Sequence, residues 1–167
     1  MTKSFAKIFV ALAFLFAISG CDRKNCSDVV CDYGMTCNQG QCYCPDGYEG
    51  TDCSTVSANK YVGSYNVNEA CYTGASNFFS YPAYITNGYR INELQISNLF
   101  GMTSAIAYVY TDASNQGNVI EVPMQSQGGL TFSGQGTFDP INYRITINFN
   151  YTYNFSSYQC THTFYKQ

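Results

Sequence analysis

Ile141-Asn142-Tyr143-Arg144-Ile145-Thr146-Ile147-Asn148-Phe149-Asn150-Tyr151-Thr152-Tyr153-Asn154-Phe155 carries the clearest structural signal in the chain. Every odd position is Ile, Tyr or Phe, and every even one is Asn, Arg or Thr. Alternation with period two means a strand with one face packed and the other wet. At ~3.3 Å per residue the stretch would span roughly 50 Å, so it is expected to bend or coil within a closed sheet.

The same signal recurs upstream. Tyr61 to Val67 alternates, and Tyr81 to Thr86 and Leu94 to Ile96 follow, separated by the turn pair Asn87-Gly88. Ala105 to Tyr110 is apolar on both faces, and Val119 to Gln125 sets Ile120, Val122 and Met124 together, with Pro123 marking an edge or a bulge. Leu130 to Phe138 contains Gly134 and Gly136, which would let that strand bend sharply, and Tyr158 to Lys166 closes the chain. About eight antiparallel strands with short turns predict a mainly β fold, an up-and-down barrel or a sandwich. Two cysteines favour closure. Cys71 is placed at the end of the first strand and Cys160 at the start of the last. In a closed eight-stranded meander those strands are antiparallel neighbours, so a Cys71–Cys160 bridge would staple the seam. Gly63-Ser64-Tyr65 in the first strand resembles the Gly-x-Trp opening of lipocalin-like proteins, with Tyr in place of Trp. The resemblance implies a lipocalin-like barrel over residues 60–167.

Six further cysteines crowd residues 26–53, spaced C-x4-C-x5-C-x4-C-x-C-x8-C. A module this small cannot bury enough apolar area to fold alone, so cross-links are expected to hold it. Spacing alone permits fifteen pairings. A zinc site is the other use of close cysteines, but free thiolates do not last in an oxidising compartment. The spacing, with Cys42-Tyr43-Cys44-Pro45-Asp46-Gly47-Tyr48-Glu49-Gly50-Thr51-Asp52-Cys53, resembles the EGF-like family. That resemblance implies Cys26–Cys37, Cys31–Cys42 and Cys44–Cys53. Calcium-binding members hold the ion through acidic and amide side chains before the first cysteine. Here Asp22-Arg23-Lys24-Asn25 puts two cations there, so no metal is expected. Residues 54–59 read as a short polar linker between module and barrel.

Lys3 and Lys7 precede the apolar run Ile8 to Ile18, which is too short to span a bilayer and reads as a secretory signal peptide over residues 1–20. Ile18-Ser19-Gly20-Cys21 resembles the lipobox of bacterial lipoproteins, in which Cys21 becomes the lipidated N-terminus of a tail over residues 21–25. Cysteine arithmetic agrees: of nine cysteines, giving Cys21 to acyl chains such as palmitate leaves eight for four disulfides. The expected location is the bacterial cell envelope, anchored by lipid in the outer membrane. Asp22-Arg23-Lys24 leaves the periplasmic or surface face open.

A formal charge of −3 and only 11% charged residues argue against nucleic acid as a partner. The barrel segment has one histidine, His162, and five carboxylates (Glu69, Glu93, Asp112, Glu121, Asp139) scattered along the chain. His162 shares an apolar face with Cys160 and Phe164, where a packed, hydrogen-bonded histidine is the ordinary finding. With no nucleophile motif or phosphate loop, the chain is expected to be neither an enzyme nor a cofactor carrier. Aromatics are the surplus: twelve Phe, sixteen Tyr and no Trp. Phe78, Phe79 and Tyr81 cluster where a loop meets a strand, as ligand contacts or as a plug over a barrel end. Two function classes follow. One is a membrane-anchored binding or adhesion module that takes a protein, a glycan or a small apolar ligand; the other is a structural or assembly component of the envelope. An open cavity in the barrel would favour the first, a filled interior the second.

Overall fold

The structure is a computed structural model that describes residues 26–72, 78–101, 103–110 and 117–167. Residues 1–25, with the expected signal peptide and the expected lipidation site Cys21, lie outside the described residues. A disulfide-rich N-terminal module precedes a closed, eight-stranded, antiparallel barrel, an architecture compatible with a lipocalin-like fold.

The module has two small ribbons, β1 (Thr36–Asn38) with β2 (Gln41–Tyr43), and β3 (Tyr48–Glu49) with β4 (Thr55–Val56). Three bridges join Cys26 to Cys37, Cys31 to Cys42 and Cys44 to Cys53, with Cα separations of 5.8, 5.7 and 5.4 Å.

The barrel strands are β5 (Gly63–Cys71), β6 (Phe78–Asn87), β7 (Glu93–Leu99), β8 (Thr103–Tyr110), β9 (Val119–Gln127), β10 (Leu130–Asp139), β11 (Arg144–Tyr153) and β12 (Ser156–Lys166). Each pairs with its sequence neighbours, and β12 returns to pair with β5. Cys71 and Cys160 face each other across that seam and are bonded, their Cα atoms 4.0 Å apart. The backbone bond from Tyr72 N–H to Gln159 O beside them makes this a non-hydrogen-bonded pair, the closer of the two antiparallel spacings. Cys160 does not begin its strand, because β12 starts at Ser156.

Several local expectations shift. The long alternating stretch is shorter than its pattern: Tyr143 (φ 48°) ends a turn before β11, and Asn154-Phe155 (φ 48° and 64°) form the two-residue turn after it. Ile141, Tyr143 and Phe155 are therefore exposed, although they keep the apolar parity of the strand. Asn87-Gly88 does not close a tight hairpin; it opens a longer connection running to Glu93, where Gly88 N–H donates to Glu93 O. A two-residue turn with both φ positive lies instead at Gly128-Gly129. A bulge opposite Ser133 includes Pro123 and turns Met124 out to solvent while Ile120 and Val122 stay buried. Gly136 serves close approach: a Cβ there would lie 2.1 Å from Thr146 O.

Residues 54–59 are not a free linker. Thr55–Val56 pairs with β3, and Ser57–Tyr61 forms a 3-10 helix whose Ser57, Ala58 and Tyr61 are buried under one end of the barrel. That end is here called the foot; the other is the mouth. Tyr61 packs at a tilt against the Phe138 ring, donates from its hydroxyl to Gly117 O at 2.8 Å, and accepts at its own carbonyl from Tyr65 Oη at 2.6 Å. The module seals the same end. Ser57 N–H donates to Gly47 O at 2.9 Å, and Lys60 forms an ion pair with Glu49 while donating to Asn118 Oδ1 at 2.9 Å. Above the plug, side chains such as Tyr65, Ile85, Leu94, Ile120, Ile145 and Phe164 fill the interior.

Candidate functional site

Toward the mouth the packing stops short of filling the barrel. A cavity of about 440 Å³ is lined by Glu69 (β5), Phe79, Ser80 and Tyr81 (β6), Phe100 and Gly101 (the β7–β8 turn), Leu130 (β10), Tyr151 and Tyr153 (β11), and Tyr158 (β12). The residues come from six places in the sequence and meet because odd-numbered strands end, and even-numbered strands begin, at this rim.

Phe100 forms its inner wall. Asn98 and Phe100 both have positive φ, 60° and 55°, and Asn98 Nδ2 donates to Pro82 O at 2.6 Å. Asn tolerates the left-handed region, which a Phe adopts only under constraint from its surroundings. The turn swings the Phe100 ring into the barrel, with centroids 5.4 Å from Phe132, 5.3 Å from Phe149, 4.9 Å from Tyr151 and 4.9 Å from His162. Tyr151, in contact with Phe100, stacks on Tyr158 at 5.0 Å.

The polar feature of the cavity is Glu69, 6% exposed. It pairs across the seam with His162, which is fully buried, two residues further into the barrel than the Cys71–Cys160 pair. Tyr151 Oη donates to Glu69 Oε1 at 3.4 Å. The Cys71 sulfur, which carries no proton in the disulfide, lies 3.1 Å from the same oxygen. His162 Nε2 stands 3.7 Å from Glu69 Oε2, too far for a hydrogen bond, and has no other partner among the described residues. Nδ1 is 2.9 Å from Tyr81 Oη.

Burial sets the charges. Desolvation pushes His162 down to about 3, so the ring is neutral near pH 7. Desolvation raises Glu69 above the usual carboxylate range, opposed in part by the Tyr151 bond. Burial also raises Tyr81, and raises Tyr151 to about 12, so both phenols stay protonated. Among the described residues no Lys or Arg forms an ion pair with Glu69. Glu69, Cys71 and Cys160 are close enough for their side-chain atoms to share a metal, but the two sulfurs are bonded to each other, which leaves a single carboxylate.

Of the aromatic residues singled out in the sequence, Phe79 stands at the rim, 57% exposed, and Tyr81 is buried in the wall. Phe78 begins β6, where only its backbone is described. Glu69, Phe100, Leu130, Tyr151, Tyr153 and Tyr158 were not legible as a group. A signal existed for the centre: with Cys71 opposite Cys160, stepping two residues inward on each strand brings Glu69 opposite His162 on the interior face. The chain matches no protein-family model, and no curated protein or solved structure is significantly similar to it.

Proposed function

We propose that this chain is a non-enzymatic binding protein of the bacterial cell envelope. Lipid on Cys21 tethers it to the membrane, an EGF-like module rises from that anchor, and a lipocalin-like barrel takes a small, largely apolar ligand at its mouth. The observation that carries this reading is the aromatic cavity of about 440 Å³ at one end of an otherwise packed barrel, within the volume range of small-molecule sites. The foot is closed by Tyr61 and the module, so a ligand would enter only from the other end. His162 is neutral and enclosed, and it does not line the cavity, which supports binding over acid–base catalysis. The alternative, a structural component of the envelope, draws support from the filled lower interior.

The test uses the full-length chain and the neutral aromatic 2-phenylethanol, followed through tyrosine fluorescence. Saturable binding below about 10 mM is expected, as suits nine non-hydrogen atoms of modest efficiency. Leu130→Trp, which fills the cavity, should abolish it. Wild-type protein that never saturates, or a Leu130→Trp variant that binds equally, would sink the reading. In the same preparations Cys21→Ser should move the protein from the membrane to the soluble fraction; retention on membranes would reject the anchor.

A further inference from the structure

We infer that the mouth cavity is built for an organic cation: a protonated amine or a quaternary ammonium group carried on an apolar, ring-sized body, with Glu69 as its counter-charge. This rests on the proposed binding role and names the ligand class of the same site.

The reasoning begins with a carboxylate that lacks a charged partner. Buried acidic side chains are ordinarily paired with a cation or satisfied by several hydrogen bonds, because desolvating the charge costs far more than most contacts return. Glu69 has neither. Its one donor among the described residues, Tyr151 Oη, is 3.4 Å away, and the imidazole across the seam is beyond bonding distance and uncharged. Yet the carboxylate, only 6% exposed, also forms part of the cavity wall. The missing positive charge therefore has a place to stand.

The walls fit the same occupant. Phe79, Tyr81, Phe100, Tyr151 and Tyr158 supply aromatic rings around the space in front of Glu69. Ring faces attract cations, and a quaternary or protonated amine among several rings beside a carboxylate gains from both effects at once. An anionic ligand would meet Glu69 and the electron-rich ring faces with no compensating Lys or Arg among the described residues that line the cavity. A neutral apolar ligand would fill the volume and leave the carboxylate as it is.

The groups facing Glu69 that can titrate are Tyr81 from β6, Tyr151 from β11, and Tyr158 and His162 from β12. The phenols Tyr81 and Tyr151 stay protonated, and His162 stays neutral, across the neutral range. Amine affinity should therefore rise with pH as Glu69 ionises, over a range lying above the ordinary carboxylate value.

The experiment compares four probes of one shape on the full-length chain: 2-phenylethylamine, trimethyl(2-phenylethyl)ammonium, 2-phenylethanol and 3-phenylpropionate. Both cations should bind at least about tenfold more tightly than the alcohol, and the carboxylate more weakly than it. Glu69→Gln should remove that preference, bringing the cations within about twofold of the alcohol, with circular dichroism and thermal melting reporting that the variant is folded. Should the variant not fold, the wild-type pH profile decides: affinity for the quaternary cation rises from pH 4 to 8 while that for the alcohol stays flat. Equal affinity for cations and alcohol in the wild type, or a cation preference that survives Glu69→Gln, overturns the inference and leaves the binding role standing. Failure of all four probes overturns both.

Discussion

The two ends of the barrel solve the same problem in opposite ways. Each must cap a cylinder of apolar side chains. At the foot, the chain spends a 3-10 helix, a buried Tyr61 and a cross-linked module on the task; Tyr61 Oη, Tyr65 Oη and Lys60 Nζ find partners within the protein, while Ser57 Oγ and Arg144 Nε find none among the described residues. At the mouth, Phe100 covers only part of the opening; Glu69 lines the cavity with one long bond from Tyr151, and His162 Nε2 behind it has no hydrogen-bond partner among the described residues. Unpaired buried polar atoms occur at both ends, so what sets the mouth apart is the aromatic-lined cavity beside a carboxylate with no ion-pair partner among the described residues.

Removing the brace at the mouth should have the largest effect. Cys71–Cys160 closes a loop spanning 89 residues, and chain-entropy models assign such a bridge about 4–5 kcal/mol. With ~4–8 °C per kcal/mol near this size, replacing both cysteines by Ala should lower the Tm by well over ten degrees. Hydrogen exchange should locate the damage: amides of Ala70 to Tyr72 and Gln159 to Thr161 lose protection, while those near Tyr65 and Phe164 keep it. A double variant melting within about two or three degrees of wild type would show that the seam needs no staple.

Acid should act on the mouth's buried pair, with an effect somewhat smaller than the loss of the bridge. His162 titrates lower in the fold than in the unfolded chain, so its contribution is fully present above pH 6.5 and is lost as pH falls toward about 3. By pH 4 the loss amounts to about 3 kcal/mol. Glu69 works against it: its raised folded value means that protonation on acidification relieves a penalty carried at neutral pH. His162→Gln keeps a side chain able to accept from Tyr81 and should flatten the pH dependence of unfolding free energy below 6.5. Parallel curves for wild type and variant would place the acid sensitivity elsewhere.

What the amino-acid sequence discloses follows the same division. Period-two alternation exposes the strands, and cysteine placement on the first and last of them points to the closed seam, because both are properties of neighbours along the chain. The foot was hidden because Ser57-Ala58-Asn59 reads as linker: the segment is short and polar, and only docking under the barrel buries it. The ends of β11 were overdrawn because Tyr143 and Phe155 continue the apolar parity through positions where positive φ turns the chain. The mouth was hidden most of all. Its residues are far apart in sequence, and Phe100 enters the barrel through a left-handed turn that no alternation signals. Glu69 read as one scattered carboxylate among five until the seam register placed it against His162.

Chemical-shift mapping with 2-phenylethylamine tests the asymmetry of the two ends most directly. With methyl and aromatic groups of the full-length chain labelled, added probe should shift Leu130, Phe79, Phe100 and Tyr151 at the mouth in a saturable way. Ile85, Ile120 and Ile145, packed toward the foot, should stay where they are. Saturable shifts centred on those isoleucines, or no saturable shift at the four mouth residues, would contradict the account of a barrel sealed at one end and built to bind at the other.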